Sequence, residues 1–280
     1  MKICNTISDM RAASRVARRD GKRLGFVPTM GALHEGHVSL VRAAKAKSDV
    51  VAVSIFVNPL QFGPNEDLAK YPRTFERDRD LLEKEAVDIL FAPTPEEMYS
   101  AGAVTCVTVE GLSEKLCGKS RPGHFRGVTT VVAKLFHIVE PDLAFFGQKD
   151  AAQATIIGHM VRDLNLPVEI VVCPIVRESD GLAMSSRNAY LSSQQRKSAL
   201  VLHRALTEVK RRFDQGGRNA HALIEVAKQV LAQEHAVRLD YFEIVDPATL
   251  DPVQELTSTA LVAVAAFVGN TRLIDNILLS

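Results

Sequence analysis

The sequence lacks the marks of several protein classes. Its 280 residues carry 34 Lys+Arg against 33 Asp+Glu, so the formal net charge is only +1. Proteins that bind nucleic acid or anionic membranes generally have a surplus of Lys and Arg. The near-zero net charge therefore argues against such binding by the whole surface, although a local basic site remains compatible with it. The longest uninterrupted apolar run, Ala260 to Val268, has nine residues, against roughly 20 for a membrane-spanning helix. Residues 1–10 contain no apolar core of a secretory signal. We therefore expect a cytoplasmic protein without nucleic-acid or membrane partners.

Cysteine is also scarce. The chain has four cysteines, Cys4, Cys106, Cys117 and Cys173. They form no CxxC pair and have no histidine at zinc-like spacing. We expect free, buried thiols and name no protein ligand for a metal.

Short β-rich runs alternate with helical stretches through the first two thirds of the chain, which is typical of an α/β fold with a mostly parallel sheet. The run from Val50 to Val57 is apolar nearly throughout, as in a central strand that is covered on both faces. The other predicted strands and helices are Leu24 to Val27, Val87 to Ala92, Leu143 to Phe146, Val168 to Cys173, Val38 to Lys47 and Phe75 to Glu85.

The pattern changes after Asn188. A helix opened by Ser192 or Ser193 leads into amphipathic helices near 194–213 and 218–235. Three β-leaning runs follow at 240–245, 260–268 and 271–277, separated by turn signals. We predict a larger domain over residues 1–187 and a smaller α+β domain with an antiparallel sheet over residues 188–280.

The strongest chemical signal is the segment from Phe26 to His37, a strand followed by a glycine-containing turn and a helix start. His34 and His37 are three residues apart and face one side of the first helical turn, beside unpaired backbone N–H groups. Gly31 and Gly36 leave room for a phosphate to approach. Two ordinary histidines on a capped helix are the alternative, and zinc is disfavoured because no third ligand lies nearby.

A second polar loop runs from Asp180 to Asn188. Arg187 can fork onto phosphate oxygens while Ser185 and Ser186 donate to the same group, which suits a departing pyrophosphate. Taken alone, the loop is equally a solvated turn.

A third segment, Phe145 to Asp150, again has a strand, a glycine and polar residues at a helix start. Lys149 offers a positive charge to a phosphate, and Asp150 suits a ribose hydroxyl or a magnesium-bound water. Gln153 faces the same pocket one turn later. The alternative is a salt-bridged first turn of the helix.

Two further segments carry polar side chains at useful places. Asn58 and Gln61 follow the apolar central strand, where open α/β sheets bind small ligands; Asn58 before Pro59 also suits a turn, so Gln61 is the stronger candidate. Tyr71 to Arg73 and Ser120 to Arg126 bind an acidic substrate or cap neighbouring loops.

Seven ordered motifs carry a resemblance that spans the chain. The sequence resembles the pantoate–beta-alanine ligases, or pantothenate synthetases, of the HIGH/KMSKS nucleotidyltransferase superfamily. The matching segments are PTMGALHEGH, SIFVNPLQF, YPRT, RPGHFRGV, FGQKD, DGLAMSSRN and RLIDN. One departure is Ala152, where many members of the family carry a second glutamine before Gln153.

The resemblance implies a Rossmann-like parallel-sheet domain, a smaller C-terminal domain that closes over the site, and a homodimer. It also implies the reaction: ATP and (R)-pantoate give pantoyl adenylate and pyrophosphate, and beta-alanine then displaces AMP to form pantothenate. ATP is thus a substrate and Mg²⁺ a cofactor. A nucleotidylyltransferase that releases an adenylated small molecule is the first alternative, and an inert nucleotide-binding module the second.

The resemblance further implies the site residues. His37 is the proton donor of the family, and His34, Lys149 and Arg187 complete the catalytic set. Gln61 and Gln153 contact pantoate, and Gln61 also serves the beta-alanine step. The implied ATP contacts are Met30, Gly31, Ala32, Leu33, His34, Glu35, Gly36, His37, Gly147, Gln148, Lys149, Asp150, Val176, Met184, Ser185, Ser186 and Arg187.

The first step needs charge neutralisation and alignment rather than a base, because the carboxylate of pantoate is ionised near neutral pH. We expect the two histidines, Lys149, Arg187 and Mg²⁺ to supply that positive charge. No carboxylate or lysine stands out as the base for the beta-alanine amine.

Overall fold

A computed structural model describes residues 1–19, 21–64 and 66–280. The first part of the chain forms one parallel sheet in the order β1-β4-β3-β2-β5-β6. The predicted α/β fold is confirmed, and β3 is a central strand as its apolar sequence indicates. The strands are β1 (Lys2–Cys4), β2 (Leu24–Thr29), β3 (Val50–Ile55), β4 (Ile89–Phe91), β5 (Leu143–Gly147) and β6 (Glu169–Cys173).

Helices connect and flank these strands. None in the described parts of the chain is both long and apolar enough to cross a membrane. They are α1 (Ile7–Arg19), α2 (Glu35–Lys47), α3 (Phe75–Lys84), α4 (Pro95–Met98), α5 (Cys117–Ser120), α6 (His124–Val139) and α7 (Ala151–Asp163).

The order of the sheet reverses at β2, because β3 pairs on one side of it and β5 on the other. Ligands of open α/β sheets bind outside the carboxyl ends of the strands at such a reversal. β2 ends at Thr29 and β5 at Gly147. The polar segments that follow these two strands therefore share one edge of the sheet.

The sequence interpretation missed α6. Its central stretch, Val128 to Val132, is rich in β-branched residues, which have a modest intrinsic preference for helix. Most of the helix is buried, including all five of these residues. Tertiary packing therefore decides its conformation, and α6 forms one wall of the site.

The last part of the chain forms a separate antiparallel sheet, β7-β8-β9, with strands β7 (Val237–Val245), β8 (Ala260–Val268) and β9 (Thr271–Leu279). Helices α8 (Ser193–Ala199), α9 (Val201–Asp214) and α10 (Ala220–Leu231) precede it. Ser192 caps α8, and its side chain accepts the N–H of Gln195. The predicted antiparallel sheet is confirmed, whereas the helix predicted near 194–213 is divided at Leu200.

Polar contacts join the two sheets. Arg177 pairs with the buried carboxylate of Asp275 at 2.6 Å. The Asn276 side-chain amide donates to the backbone carbonyls of Gln148 and Lys149, each at 2.9 Å. The RLIDN segment of β9 therefore holds the turn that follows β5. A domain boundary at residue 187 stays a prediction.

All four cysteines are free, and Cys4, Cys117 and Cys173 are buried. Cys106 is exposed, so the expectation of burial was wrong for this residue. It lies in a segment outside the regular elements, where burial cannot be inferred from periodicity.

Candidate active site

Two adjoining cavities lie at the carboxyl ends of β2 and β5. The smaller, of about 230 Å³, contains the histidine segment and an apolar wall from α6. The larger, of about 1050 Å³, is the cleft between the two sheets. Both cavities are lined by Arg121, His124, Lys149, Asp150, Gln153, Ser185 and Arg187. The predicted polar segments thus meet where the cavities join.

The loop before α2 is shaped by a buried carboxylate. Asp78 of α3 is 1 % exposed and accepts the backbone N–H groups of Ala32 at 2.7 Å and Leu33 at 2.9 Å. Gly31 has φ +79°, and a Cβ there would lie 3.0 Å from Ile55 Cγ2. Sequence reasoning missed Asp78, although its position four residues before buried Leu82 places it on the inner face of α3.

His34 and His37 open α2 and cap each other's backbone. His34 Nδ1 accepts the Gly36 N–H at 3.2 Å, and His37 Nδ1 accepts the His34 N–H at 3.3 Å. The ring centroids are 4.1 Å apart. Because Nδ1 is the acceptor in both rings, we assign the proton of each neutral ring to Nε2. Both rings therefore keep an Nε2–H donor for a ligand.

Burial makes these rings neutral. It lowers the pKa of His34 to about 4, with help from Lys149. Burial and the neighbouring His34 lower the pKa of His37 to about 3. The pair therefore supplies donors rather than the positive charge expected from the sequence. Gly36 also serves the pair, because a Cβ there would lie 2.9 Å from the His34 ring.

The turn after β5 presents a cation and a carboxylate. Lys149 Nζ lies 3.6 Å from Asp150 Oδ2, and both side chains line the two cavities. Lys149 and Asp150 thus lie in the predicted pocket and also form the salt bridge that the alternative interpretation expected. Gln153 lies in the first turn of α7 and lines the same cavities.

The loop of Ser185 to Arg187 is held by a contact that the sequence did not reveal. Arg187 forks onto Asp67 with two distances of 2.9 Å, and its guanidinium lies 5.8 Å from the Tyr71 ring centroid. Burial acts to raise the pKa of Asp67, but the hydrogen bonds from Arg187 keep it below its usual value. Ser186 Oγ donates to the Ala32 carbonyl at 3.2 Å. This loop therefore contacts the histidine segment directly.

Asn58 and Gln61 have different positions. Asn58 is buried, accepts a hydrogen bond from Tyr99 at 2.8 Å and donates to the Gly127 carbonyl at 3.0 Å. Its Nδ2 also lies 3.2 Å from Gln61 Oε1. Gln61 Nε2 points to Met30 Sδ at 2.9 Å. Asn58 thus both caps the turn and orients Gln61.

The remaining predicted residues differ in whether they line a cavity. Val176 and Met184 line the smaller cavity. Five residues with implied ATP contacts do not line it: Gly31, Ala32, Leu33, Glu35 and Gln148. Arg73 and Arg126, from the two arginine-bearing segments, are exposed and line neither cavity.

Neutral donors at a helix start, three cations and an apolar pocket converge where the sheet order reverses, and together these features define an α/β enzyme that uses a nucleotide to activate a small molecule. The model of the pantoate–beta-alanine ligase family matches residues 2–278, and the chain belongs to this family. It is an enzyme that joins pantoate and beta-alanine to pantothenate with ATP as a substrate.

The chain is similar to known proteins over its whole length. It is 61% identical over 279 residues to the pantothenate synthetase of Koribacter versatilis, covering 100% of this chain and 96% of that protein. The crystal structure of pantothenate synthetase from Thermus thermophilus matches with a TM-score of 0.94, 48% identity and 99% coverage of both chains. Pantoate–beta-alanine ligase from Francisella tularensis, complexed with beta-gamma ATP and beta-alanine, matches with a TM-score of 0.82 and 35% identity, covering 99% of this chain and 97% of that one.

Proposed function

We propose that the reaction passes through pantoyl adenylate and that the smaller cavity holds pantoate beside the α-phosphate of ATP. The observation that carries this proposal is the composition of the cavity. One wall is apolar and comes mainly from α6, and the polar side chains Gln61 and Gln153 stand beside it. Pantoate has the matching pattern, with two methyl groups on one carbon and a carboxylate and hydroxyls at its ends. The apolar lining residues include Val128, Val131, Val132, Leu135 and Phe146.

The phosphates of ATP are assigned to the other end of the cavity. The Nε2–H groups of His34 and His37 donate hydrogen bonds to phosphate oxygens, and His37 acts as a hydrogen-bond donor in the first step rather than transferring its proton, because the ring is neutral. Lys149 and Arg187 balance the charge that builds on the leaving pyrophosphate, and Ser185 and Ser186 donate beside Arg187. Five residues of the proposed ATP site do not line the cavity. They contact ATP through their backbone or support residues that contact it, and they are Gly31, Ala32, Leu33, Glu35 and Gln148. Met30, Gly36, Gly147, Asp150, Val176 and Met184 complete the ATP site.

Atoms and charges balance in two steps. In the first, a carboxylate oxygen of pantoate attacks the α-phosphorus, the O–P bond forms and the bond to pyrophosphate breaks. In the second, the beta-alanine nitrogen attacks the acyl carbon, the C–N bond forms and the C–O bond to AMP breaks. The ammonium group gives up two protons to solvent in the process. Neutral imidazoles suit the first step, since they donate without repelling a cation bound by the phosphates.

Mg²⁺ fits this site as an ion carried by the nucleotide. Magnesium in nucleotide enzymes is commonly held by phosphates, waters and one or two carboxylates. Asp150 is the carboxylate among the described residues that lines both cavities. It would contact the ion directly or through water, and the ion would screen the phosphate charge.

Chromatography of nucleotides and acids tests the proposed reaction. The purified protein is incubated with Mg-ATP and D-pantoate, with and without beta-alanine. We expect AMP and pantothenate in equal amounts only in the complete mixture, and an amount of adenylate close to the enzyme concentration when beta-alanine is omitted. Continuous pyrophosphate release without an amine would favour the nucleotidylyltransferase alternative. Formation of ADP would refute both.

We also propose that the enzyme is a cytoplasmic homodimer and that segment 104–109 forms the contact between its subunits. Val107 is held on the protein side, since its N–H donates to Thr130 Oγ1 at 3.0 Å and its carbonyl accepts from Thr129 at 2.6 Å. Neighbouring residues of an extended segment direct their backbone groups to opposite edges. Cys106 and Thr108 are exposed, so in an extended segment their edge would face solvent, and Val104 is 91 % exposed. Antiparallel pairing with a second copy would cover this edge.

Size-exclusion chromatography with light scattering tests the dimer, and oxidative cross-linking tests the surface. Pairing around a twofold axis near Cys106 brings the two Cys106 thiols together, so a mild oxidant should give a covalent dimer. Cys106→Ser should abolish the covalent product and keep the dimer, whereas Thr108→Pro should yield monomers. A dimer that persists in Thr108→Pro and a wild-type protein that never cross-links would place the contact elsewhere.

A further inference from the structure

The second substrate brings a charge that the assigned residues do not meet. Beta-alanine is a zwitterion, and its carboxylate stays ionised throughout the reaction. Gln61 is neutral, and Lys149 and Arg187 are assigned to phosphates. A carboxylate in a largely buried cleft requires a charged partner or several donors. The inference that such a partner is needed rests on the proposed function.

Arg121 stands at the place where such a partner is needed. It is the third cation that lines both cavities, after Lys149 and Arg187. It precedes α6 and lies on the Gln61 side of the junction, where its Nη2 is 3.3 Å from the Gln61 carbonyl. The side chain is only 14 % exposed. Arg121 therefore lies where the larger cleft adjoins the smaller cavity.

The guanidinium is held in place before any ligand binds. Its Nε donates to Glu66 Oε1 at 2.8 Å, and its Nη2 donates to Glu66 Oε2. Its Nη1 lies 3.0 Å from His124 Nε2. Among the contacts of the described residues, one Nη1 N–H is left over, since a guanidinium has five N–H groups. That N–H is fixed in direction and can donate to a carboxylate oxygen.

His124 fixes this arrangement through its tautomer. Its Nδ1 lies 2.8 Å from the Gln61 carbonyl and must donate the proton there, so Nε2 is the acceptor for Arg121. Burial, followed by the charge of Arg121, lowers the pKa of His124 to about 4, and the ring is neutral at neutral pH. The ring thus ties the direction of the guanidinium to the backbone of Gln61.

We propose that Arg121 binds the carboxylate of beta-alanine through its Nη1 edge and so directs the amine toward the acyl carbon in the smaller cavity. The carboxylate carbon and amine nitrogen of beta-alanine are joined by three bonds and lie about 4 Å apart when extended. That span reaches from the guanidinium to the neighbourhood of Gln61. Glu66 keeps the pair with Arg121 near neutrality before the substrate arrives.

Hydroxylamine provides the test, because it is a nucleophile without a carboxylate. It traps pantoyl adenylate as a hydroxamate. The rate of hydroxamate formation therefore measures the first step independently of beta-alanine. For Arg121→Met we expect kcat/KM for beta-alanine to fall roughly 10- to 100-fold, the range for loss of a charge-assisted hydrogen bond. Hydroxamate formation and the KM values for ATP and pantoate should stay within about twofold. The matched control is Arg126→Met, which removes an exposed arginine of the same segment and should change neither reading.

Each outcome decides a separate question. An equal fall in hydroxamate and pantothenate would make Arg121 a structural residue, and an unchanged kcat/KM for beta-alanine would remove it from the site. If Arg121→Met does not fold, Arg121→Lys decides: it keeps the charge, so hydroxamate formation should persist while KM for beta-alanine rises. Unaltered beta-alanine kinetics in that variant would refute the proposal. Absence of pantoate-dependent hydroxamate in the wild type would instead refute the proposed function.

Discussion

Replacing Asp78 should test how the loop before α2 is built. The carboxylate accepts the N–H groups of Ala32 and Leu33 and lies 3.1 Å from Thr74 Oγ1. In Asp78→Ala both of these N–H groups, which are buried, lose their hydrogen-bond acceptor. A buried donor left unsatisfied costs about 1–3 kcal/mol, so the free energy of unfolding should fall by roughly 2–6 kcal/mol. Asp78→Asn keeps one acceptor oxygen and should lose roughly 1–3 kcal/mol.

The same change should disturb catalysis, because the loop leads directly to His34. A displacement of the imidazoles of about 1 Å should lower adenylate formation by about 10²-fold. The measurements are urea denaturation and the hydroxamate reading of the folded variant. The control is Asp80→Ala on the same helix, where the carboxylate is largely exposed and pairs with Arg79; this pair should contribute less than about 1 kcal/mol. Equal stability of Asp78→Ala and Asp80→Ala would show that the loop holds its shape without the carboxylate.

Three further predictions concern the histidines and Gln61. His37→Ala should fold normally and form adenylate about 10²-fold more slowly, as for loss of one transition-state donor; near-normal turnover would remove His37 from the mechanism. Gln61→Ala should raise the KM for pantoate much more than that for ATP, and an equal rise in both would make Gln61 structural. The pKa of His34 and His37 is lowered in the fold to about 4 and 3, so the unfolded chain takes up protons first. Their contribution to stability is complete above about pH 6.5 and is lost as the pH falls toward 4. Denaturation at pH 7.5 and pH 5 should show this loss, and a variant with glutamine at both positions should show a flatter dependence.

The sequence predicted the parts of the molecule that depend on local pattern. Alternating strands and helices, the apolar character of β3 and the turn signals of the second sheet gave the α/β fold and its antiparallel companion. Helix α6 was not predicted, because its β-branched residues become helical through burial. The contacts of Asp67 and Asn276 were not predicted for another reason: their partners lie 120 and more residues away along the chain. Nothing local indicates such contacts. The histidines were identified, but their proton positions depend on Nδ1 contacts that only the fold shows.

The cations at the junction of the two cavities are each matched by a carboxylate. Arg187 is paired with Asp67, Arg121 with Glu66 and Lys149 with Asp150. The resting site is therefore close to electroneutral despite its three positive side chains. A simple anion such as inorganic phosphate gains little there, since it must compete with a carboxylate that is already in place. A ligand that engages the helix start, the loop and the apolar wall together gains contacts beyond these three pairs, so selectivity arises from the number of simultaneous contacts rather than from net charge.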